Sequence, residues 1–209
     1  MVAKRLMDLF VASIISLVFA PVWLILPILI RLESTGPALF VQDRSGKYGK
    51  PFKMYKFRSM VINDVDPLQL GPLKYDHPLI TSVGRFMRRM KLDELPQLLN
   101  VFRGEMSMVG PRPCLVSQVE SIFAQAPMRF DVPPGMTGWA EVNGNVELTP
   151  DEQLVLDTWY VKNYSICLDI LVLFKTIGVV VFGSKRNEAV IGQAQEFYDL
   201  FMSRKGKQV

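Results

Sequence analysis

Two adjacent carboxylates, Asp93 and Glu94, follow a run of cations and give the clearest chemical signal in this sequence. The cations that lead into them are Arg85, Arg88, Arg89 and Lys91. An ionised carboxylate among fixed cations can attack phosphorus or hold a metal ion. Arginine also contacts phosphate oxygens in a bidentate manner, so the run suits a phosphorylated substrate. A capping aspartate beside a solvated basic helix face explains the same residues equally well, and these residues alone leave both interpretations open.

A helix is predicted directly after the two carboxylates. Its buried face is indicated by apolar residues at helical spacing, namely Leu95, Leu98, Leu99 and Phe102. Pro96 lacks an amide N–H and fits only the first turn of this helix, which places Asp93 near the N-cap. Because a helix N-terminus favours anions, we expect both Asp93 and Glu94 to stay ionised beside a site suited to phosphate.

The composition narrows the possible classes of protein. At 209 residues the chain suits a single domain with a sizeable core. Its net charge of +4 favours acidic partners, namely nucleic acid, anionic lipid or phosphorylated substrates. The two cysteines, Cys114 and Cys167, are too few for a disulfide framework. The single histidine, His77, argues against a zinc enzyme and against a Cys/His nucleophile.

An uncharged apolar run covers residues 9–30, close to the N-terminus. As an α-helix it would be about 33 Å long, enough to cross a bilayer core of about 30 Å. It is too long for the apolar region of a signal peptide, and no small-residue cleavage site follows it. Pro21 and Pro27 interrupt the run, and each removes a helix hydrogen bond and bends the axis.

Charges at both ends of this run determine how we expect it to meet a membrane. Basic residues precede it and Arg31 follows it, so the positive-inside rule would keep both ends in the cytoplasm. A helix that enters the membrane, breaks near Ala20 and Pro21 and returns to the same face satisfies both the charges and the prolines. We therefore predict a re-entrant hairpin, with a kinked membrane span as the alternative.

Two short strands are predicted next, at residues 39–42 and 51–58, around a glycine-containing turn. In the second strand, Lys56 and Arg58 are candidates for contacting a phosphate, although a solvated strand edge explains them equally well. Residues 61–80 are polar and contain proline, which predicts a loop. Its acids are expected at the surface rather than on a metal ion: Asp64, Asp66 and Asp76.

Arg112 lies between Pro111 and Pro113, which fix its backbone. A side chain held in this way loses less entropy when it binds, so Arg112 is predicted to contact a ligand. Further along, Trp139 ends a loop rich in proline and glycine, and Asn143 begins another turn. Such a loop suits the wall of a nucleoside or sugar pocket. A Trp139 side chain packed into the core is an equally favoured alternative.

The rest of the chain is predicted to be helical. A helix start is indicated by capping-box residues Thr149, Pro150 and Glu152. Residues 166–182 are strongly apolar but contain Asp169 and Lys175, which favours an interfacial or a buried helix over a lipid-centred one. Residues 184–209 predict a C-terminal helix whose docking on the domain stays open.

The chain resembles the monotopic phosphoglycosyl transferases, also called bacterial sugar transferases, which start lipid-linked glycan assembly. The match runs from Lys4 to about Val181. Besides the apolar N-terminus with its proline, it rests on YKFRSM (55–60), LDELPQ (92–97), MVGPRP (108–113), PGMTGW (134–139) and YVKNYS (160–165). Each motif is weak alone, but their order and spacing together are specific.

The resemblance implies a two-step phosphoryl transfer. Asp93 would be the nucleophile that attacks the sugar-side phosphate of a UDP-sugar and releases UMP, and polyprenyl phosphate would then accept the phosphosugar. Glu94 matches the partner acid, and Arg88 and Arg112 match positions that hold phosphate. Mg²⁺ is the implied cofactor, with Asp93 and Glu94 as its nearest ligands. The implied partners are a UDP-sugar, polyprenyl phosphate and the cytoplasmic face of the bacterial inner membrane, and not nucleic acid.

The expected fold class is α+β and mostly helical. We expect the re-entrant membrane helix over residues 1–32, with its break at Pro21. A cytoplasmic catalytic domain, with a small β-hairpin and interfacial amphipathic helices around a compact core, is expected over residues 33–183. A C-terminal extension would occupy residues 184–209.

The chain departs from the family pattern at two places. The family commonly breaks its membrane helix at a Ser-Pro pair, whereas Ala20 precedes Pro21 here, so the kink geometry stays open. The family often has glutamine where this chain has Glu141, a change that touches sugar choice or is neutral. A non-catalytic scaffold that binds anionic lipid and a phosphatase that uses Asp93 are the alternative functions. The donor sugar, the glycan pathway and the oligomeric state, a homodimer included, stay open.

Overall fold

A bent pair of helices begins the chain. The computed structural model describes residues 2–62 and 77–205. Helix α1 (Val2–Val18) and helix α2 (Ala20–Glu33) meet at Phe19 with a bend of 62°. Pro21 lies in the first turn of α2, where its missing N–H costs no internal hydrogen bond, so the break predicted near this residue is confirmed. Pro27 lies inside α2 and does not end it.

No single helix within residues 2–62 and 77–205 is long and apolar enough to cross a membrane, whereas α1 and α2 taken together reach the required length and composition.

The predicted hairpin is present and longer than expected in its first strand. Strand β1 (Leu39–Ser45) pairs antiparallel with strand β2 (Pro51–Phe57). Because opposed residues of paired strands share a face, the register Phe40 to Lys56 and Gln42 to Met54 places these four side chains on one side of the hairpin. The acids predicted at the surface of the following loop, Asp64, Asp66 and Asp76, lie outside the described residues.

Two helices flank the carboxylate pair. Helix α3 (Ser82–Arg89) begins at Thr81, whose side chain accepts a hydrogen bond from the backbone N–H of Gly84. Helix α4 (Gln97–Arg103) has Pro96 as its N-cap residue. The prediction that Asp93 caps this helix is wrong, because a separate 3₁₀ turn of residues Leu92–Glu94 holds both carboxylates ahead of α4.

The buried face of this region is also shifted from the prediction. Leu95 and Leu98 are buried as expected, and Val101 completes the buried side of α4. Leu99 and Phe102, predicted to be buried, are 37% and 40% exposed. Polar residues occupy part of the buried side instead, since Asn100 bonds the backbone of strand β2 at Tyr55 and Lys53.

A second pair of strands was not predicted. Strand β3 (Ser107–Val109) pairs in parallel with strand β4 (Gly135–Thr137), and helix α5 (Val119–Gln125) lies in the connection. The pairing continues where the backbone N–H of Gly110 donates to the carbonyl of Thr137 and that of Gly135 donates to Pro111. A Cβ atom on Gly135 would clash with the main chain of Gly110, so glycine permits this close approach.

The C-terminal half is helical. The helices are α6 (Trp139–Val142), α7 (Pro150–Asn163), α8 (Ile166–Phe182) and α9 (Glu188–Lys205). The predicted capping box at Thr149 and Glu152 starts α7. Asp169 of α8 is fully buried and faces the domain, as the prediction of a buried or interfacial helix requires. Helix α9 docks on the domain, with Ile191 and Ala194 buried.

Charged side chains that precede the apolar run in the chain hold helix α1 to the rest of the molecule. Lys4 is buried, and its Nζ lies 2.6 Å from Asp169 Oδ2 and 2.9 Å from the carbonyl oxygen of Val109. Asp8, one turn later, accepts hydrogen bonds from Ser107 Oγ and from the backbone N–H of Met108. The N-terminal helix is therefore tied to strand β3, close to the loop that carries Arg112.

Candidate active site

The backbone presents Asp93 and Glu94 on a tight turn between α3 and α4. Lys91, the residue before this turn, has φ 58° and ψ 18°, in the left-handed region that non-glycine residues rarely adopt. Such conformations persist only where the surroundings enforce them, and they are common at functional sites. The conformation of Lys91 turns the chain sharply and separates the two carboxylates from the end of the basic helix.

Glu94 is the fixed member of the pair. Its Oε1 lies 2.8 Å from Lys56 Nζ and 3.5 Å from Arg112 Nη2. Burial acts to raise the pKa of Glu94, but the charges of Lys56 and Arg112 outweigh it and lower that pKa to about 2. Glu94 is therefore ionised at neutral pH, and it joins the β-hairpin to the loop that carries Arg112.

Asp93 has the opposite electrostatic character. Its side chain is half-buried, and its pKa is raised, first by desolvation and then by the neighbouring Glu94 carboxylate. The charges of Lys56, Arg88 and Lys91 oppose this shift. The two neighbouring carboxylates therefore have different electrostatic surroundings. A carboxylate whose charge is incompletely compensated is suited to react with phosphorus or to accept a cation.

Arg88 approaches the carboxylates from α3. Its Nε donates a 2.9 Å hydrogen bond to Ser59 Oγ, which lies just beyond strand β2. Helix α3 can come this close because Gly84 has no Cβ atom. A Cβ atom at this position would overlap the carbonyl of Ser59. Of the three arginines of this helix, Arg88 is half-buried, whereas Arg85 and Arg89 are exposed.

Arg112 reaches the site from the loop after strand β3, and buried groups hold its backbone. The Nη2 of Arg129 donates a 2.7 Å hydrogen bond to the carbonyl oxygen of Arg112. Arg129 is itself fixed by Asp157 of α7, whose Oδ2 lies 2.7 Å from its Nε. The two prolines therefore act together with a buried ion pair, which leaves the Arg112 side chain 43% exposed and directed at Glu94.

Arg58 lies elsewhere, although it is near Lys56 in the sequence. It is buried, and its guanidinium donates to the carbonyl oxygens of Ile30, Ser34 and Thr35 at the end of α2. These carbonyls lie at the negative end of the α2 dipole, where a cation is favoured. The structure therefore corrects the prediction that Arg58 contacts phosphate, because its donors are used to hold α2.

Trp139 and Asn143, predicted as a pocket wall, are both buried in the domain. The Trp139 ring stacks on Trp159 with centroids 5.1 Å apart, and Lys175 Nζ lies 5.0 Å from its centroid. Asn143 Nδ2 donates to the main-chain carbonyl of Trp139. The main-chain carbonyl of Asn143 accepts a hydrogen bond from the backbone N–H of Asn187. The alternative of a packed tryptophan therefore describes this loop better than a pocket wall.

A cleft lies beside the carboxylate pair, and we call it the cationic cleft. It is lined by Arg44, Met54, Lys56, Gln97, Arg112, Pro113, Gly135 and Met136. Two of these residues, Lys56 and Arg112, contact Glu94, so the cleft opens directly beside the pair. Its cations and its position make it the part of the described chain best suited to hold a phosphorylated substrate.

Sequence reasoning missed several residues of this region. Arg44, Arg129, Glu141 and Asp157 were not singled out for the site, although Glu141 was noted as a departure from the family pattern. For Arg44 a signal existed, because alternation along a hairpin places it on the same face as Lys56. No signal could have linked Arg129 to Asp157, since a separation of 28 residues is closed only by the tertiary fold.

The donor set is compatible with magnesium only if the substrate contributes to it. Within residues 2–62 and 77–205 there is no group of three or more His, Cys, Asp or Glu side chains that could hold a metal ion. Mg²⁺ is commonly bound by one or two carboxylates together with substrate phosphates and water. Asp93 and Glu94, adjacent on one tight turn, supply such a pair of carboxylates. The residues present therefore fit this ion.

These features define a class of protein: a catalytic domain with an acidic pair set among cations, joined to a bent apolar helix pair. The chain belongs to the bacterial sugar transferase family, whose model matches residues 1–183. The family assignment expected from the motifs is thereby confirmed.

Several relatives of known name are similar to most of this chain. The uncharacterized sugar transferase EpsL of Bacillus subtilis is 39% identical over 181 residues, which cover 87% of this chain and 88% of that protein. The UDP-N-acetylgalactosamine-undecaprenyl-phosphate N-acetylgalactosaminephosphotransferase of Aeromonas hydrophila is 39% identical over 190 residues, 86% of this chain and 44% of that protein. The UDP-glucose:undecaprenyl-phosphate glucose-1-phosphate transferase of Escherichia coli is 38% identical over 182 residues, 83% of this chain and 39% of that protein. The chain thus spans less than half the length of the last two relatives.

Proposed function

We propose that this chain transfers a phosphosugar from a UDP-sugar to undecaprenyl phosphate and releases UMP. The observation that carries the proposal is the placement of the Asp93 carboxylate beside Glu94, which Lys56 and Arg112 hold at the mouth of the cationic cleft. The printed names of the Aeromonas and Escherichia relatives support the same classes of donor and acceptor. The reaction would be the first membrane step in assembling a bacterial glycoconjugate.

In the first step, a carboxylate oxygen of Asp93 attacks the phosphorus that carries the sugar. The bond from this phosphorus to the bridging oxygen breaks, and UMP leaves with the electron pair. The phosphosugar is then held as an acyl phosphate on Asp93. Negative charge on the phosphoryl oxygens increases around the transition state, and cations fixed before the reaction stabilise it without reorganising. Arg88, Arg112 and Lys56 are placed to supply those cations.

In the second step, a phosphate oxygen of undecaprenyl phosphate attacks the same phosphorus. The bond to Asp93 breaks, the carboxylate returns to its ionised form, and the lipid leaves as a diphosphate-linked sugar. Glu94 does not change its bonding in either step. With its pKa lowered to about 2, it stays charged and keeps Lys56 and Arg112 in position on the wall of the cleft.

The proposed cofactor is Mg²⁺, held by Asp93 and Glu94 together with substrate phosphate oxygens. When bound, the ion would neutralise part of the charge of the diphosphate. What the protein itself contributes is the position of the carboxylate pair on its tight turn and the ring of basic side chains around it.

The bent helix pair is proposed to enter the inner leaflet of the cytoplasmic membrane and to return to the same face. Both of its ends are bound by one domain: Arg5 at the start of α1 donates to the carbonyls of Val101 and Phe102, and Arg58 holds the end of α2. A straight span would separate these ends by the thickness of a bilayer. Between them, the pair exposes apolar side chains that suit lipid, such as Phe10, Leu17, Leu24 and Ile28.

Nucleotide release tests the reaction. The purified protein is incubated with a panel of UDP-sugars, Mg²⁺ and undecaprenyl phosphate, and UMP is measured. We expect UMP with at least one donor, together with a lipid-linked product and, without the lipid, an intact protein mass increased by one phosphosugar. No UMP with any donor would support the anionic-lipid scaffold instead. Release of inorganic phosphate without a lipid product would support the phosphatase.

Labelling of introduced cysteines tests the membrane arrangement. In a Cys167→Ser background, a cysteine is placed either at Phe19 in the bend or at Arg31 near the end of α2, and both are probed in sealed inverted membrane vesicles. We expect the cysteine at Arg31 to react with an impermeant maleimide added from the cytoplasmic side, and the one at Phe19 to stay protected from either side. Reaction of the cysteine at Arg31 only from the opposite side would indicate a membrane span.

A further inference from the structure

One cation of the cleft, Arg44, has no role in the steps described above. It lies on strand β1, and its half-buried side chain lines the cationic cleft together with Lys56 and Arg112. Strand alternation places it on the face of the hairpin that carries Lys56, between Asp43 and Ser45 in the sequence. In the structure it is the third basic residue on the wall of the cleft.

Neutral groups hold the Arg44 guanidinium in one orientation. Its Nε and Nη2 lie 3.0 and 2.7 Å from Gln42 Oε1, and its Nη1 lies 3.2 Å from the carbonyl oxygen of Pro113. The backbone is fixed as well, since the N–H of Ser45 donates to the carbonyl of Cys114. A guanidinium fixed in this way loses little entropy when it binds an anion.

Arg44 has no acid at ion-pair distance within the described residues, and Glu94 acts on its charge only from further away. Among the ion pairs of residues 2–62 and 77–205, Lys56 and Arg112 share Glu94, and none includes Arg44. The pKa of Arg44 is lowered, first by burial and then by the nearby charge of Arg112. Placing a half-buried cation beside another cation costs free energy unless an anion lies between them. The cleft therefore has an excess of positive charge on the side of Arg44.

The position of Arg44 differs from that of the cations around Glu94. Lys56 on strand β2 lies opposite Phe40 on strand β1. Phe40 precedes Arg44 by four residues, and both lie on the same face of the hairpin. At about 3.4 Å per residue, the two backbone positions are about 14 Å apart along the strand. The Arg44 guanidinium therefore enters the cleft beside Pro113, whereas Lys56 enters it beside Glu94.

We propose that Arg44 binds the phosphate that the reaction does not transfer, which is the nucleotide phosphate of the donor and then of UMP. This inference rests on the proposed function and assigns one more residue to the same site. A diphosphate offers two adjacent anionic groups. The sugar-side phosphate is placed at Asp93 by Lys56 and Arg112, and the nucleotide-side phosphate meets Arg44 at the side of the cleft where the leaving group departs.

The test compares UMP with uridine in variants of Arg44. By titration calorimetry in detergent, we expect Arg44→Gln to weaken UMP binding at least tenfold and to change uridine binding less than twofold. Arg44→Lys keeps the charge but loses the planar pair of donors. Its affinity for UMP should lie between those of Arg44→Gln and the wild type. The control is Lys53→Gln, which removes a cation from the opposite face of the same hairpin, where Lys53 pairs with the exposed Asp43. UMP binding by Arg44→Gln within twofold of the wild type would overturn the proposal.

A second measurement needs no variant. The wild-type protein is treated with phenylglyoxal, and modification of Arg44 is followed by peptide mass mapping. Saturating UMP should slow that modification at least fivefold, and saturating uridine should not. Equal rates with UMP and with uridine would overturn the proposal even if the variants failed to fold. If wild-type protein released no UMP from any donor, the proposed function would fail, whereas turnover with an unaffected Arg44→Gln would remove only this assignment.

Discussion

Arg129 and Arg112 are joined by a hydrogen bond from a buried guanidinium to a main-chain carbonyl, with the Arg129 Nη2 2.7 Å from the oxygen. The guanidinium is paired in turn with Asp157, whose side chain is 1% exposed. A buried ion pair that the proposed substrates would not touch thus fixes the position of Arg112, a cation at the candidate active site.

We expect Arg129→Met to lower the free energy of unfolding by about 3–5 kcal/mol, because it leaves Asp157 buried without its partner. Chemical denaturation in detergent measures this. UMP release, measured at a temperature where the variant stays folded, should also fall. The decrease in kcat should be larger than the loss of stability alone would explain. Arg89→Met, which removes an exposed cation from α3, is the matched control and should change neither quantity. An Arg129→Met protein with wild-type stability would contradict a stabilising role for the ion pair of Arg129 and Asp157.

The two adjacent carboxylates should respond differently to removal of their charge. We expect Asp93→Asn to reduce UMP release by roughly 10⁴-fold or more, since no covalent adduct can form without the nucleophile. Glu94→Gln should leave a trace of turnover, because it displaces Lys56 and Arg112 but keeps the nucleophile. Intact-mass spectra with a donor and no lipid distinguish the two. A phosphosugar adduct on the Asp93→Asn protein would rule out the covalent role of Asp93.

The Lys56 and Glu94 pair should determine the acid limit of activity. The pKa of Glu94 is lowered to about 2, mainly by Lys56, so Glu94 stays ionised throughout the working range, and the stability that this pair contributes is lost only as pH falls toward 2. In Lys56→Met the main compensating charge is gone while burial remains, so that pKa must rise. We expect the rate of UMP release between pH 5 and 8 to acquire an acid limb that the wild type lacks. An unchanged pH profile would show that Glu94 does not need its charge.

Glu141 should make stability depend on pH in the opposite sense. Neither of its carboxylate oxygens has a hydrogen-bond partner among the described residues, and burial followed by the charge of Asp157 raises its pKa from 4.5 to about 7. The folded protein therefore holds a proton that the unfolded chain releases above pH 4.5, so this contribution favours folding at acid pH and is lost as pH rises to 7.

Glu141→Gln removes the titration while keeping the shape of the side chain. At pH 8 we expect the variant to be more stable than the wild type by about 3 kcal/mol, because each unit of pKa shift corresponds to about 1.4 kcal/mol. At pH 5 the difference should nearly vanish. Thermal melting at both pH values measures the effect, and an identical pH dependence in the two proteins would exclude a buried, protonated Glu141.

Lys4 should hold helix α1 on the domain. We expect Lys4→Met to leave Asp169 buried and unpaired, at a cost of about 3 kcal/mol, and to speed amide exchange within Val2–Val18. Hydrogen exchange in detergent or nanodiscs reports the change by peptide. Arg31→Met, at the exposed end of α2, is the comparison and should leave exchange in α1 as in the wild type. Equal exchange in the two variants would indicate that the buried pair does not hold the helix.

Local patterns were sufficient for much of this fold. The break near Pro21, the β-hairpin, the capping box at Thr149 and the helix after Ser165 each depend on residues close together in the chain, and each is present. Local reasoning failed where one more turn was inserted. Asp93 was expected to cap α4, but the left-handed Lys91 starts a separate turn before that helix. Strand β4 was missed because its partner, β3, lies 28 residues earlier at the register pair of Ser107 and Gly135.

The chain's order of residues alone determined that Asp93 and Glu94 are adjacent and among cations, and it identified the family through its motifs. Only the tertiary structure decided which cations serve the pair: Lys56 and Arg112 reach Glu94, whereas Arg58 holds the end of α2 and Lys4 is buried against Asp169. The physical reason is that a long basic side chain can serve equally well at a phosphate site, at a helix C-terminus or in a buried ion pair. Its role depends on which acceptor the fold brings within about 3 Å of its donors, and sequence separation does not reveal that distance.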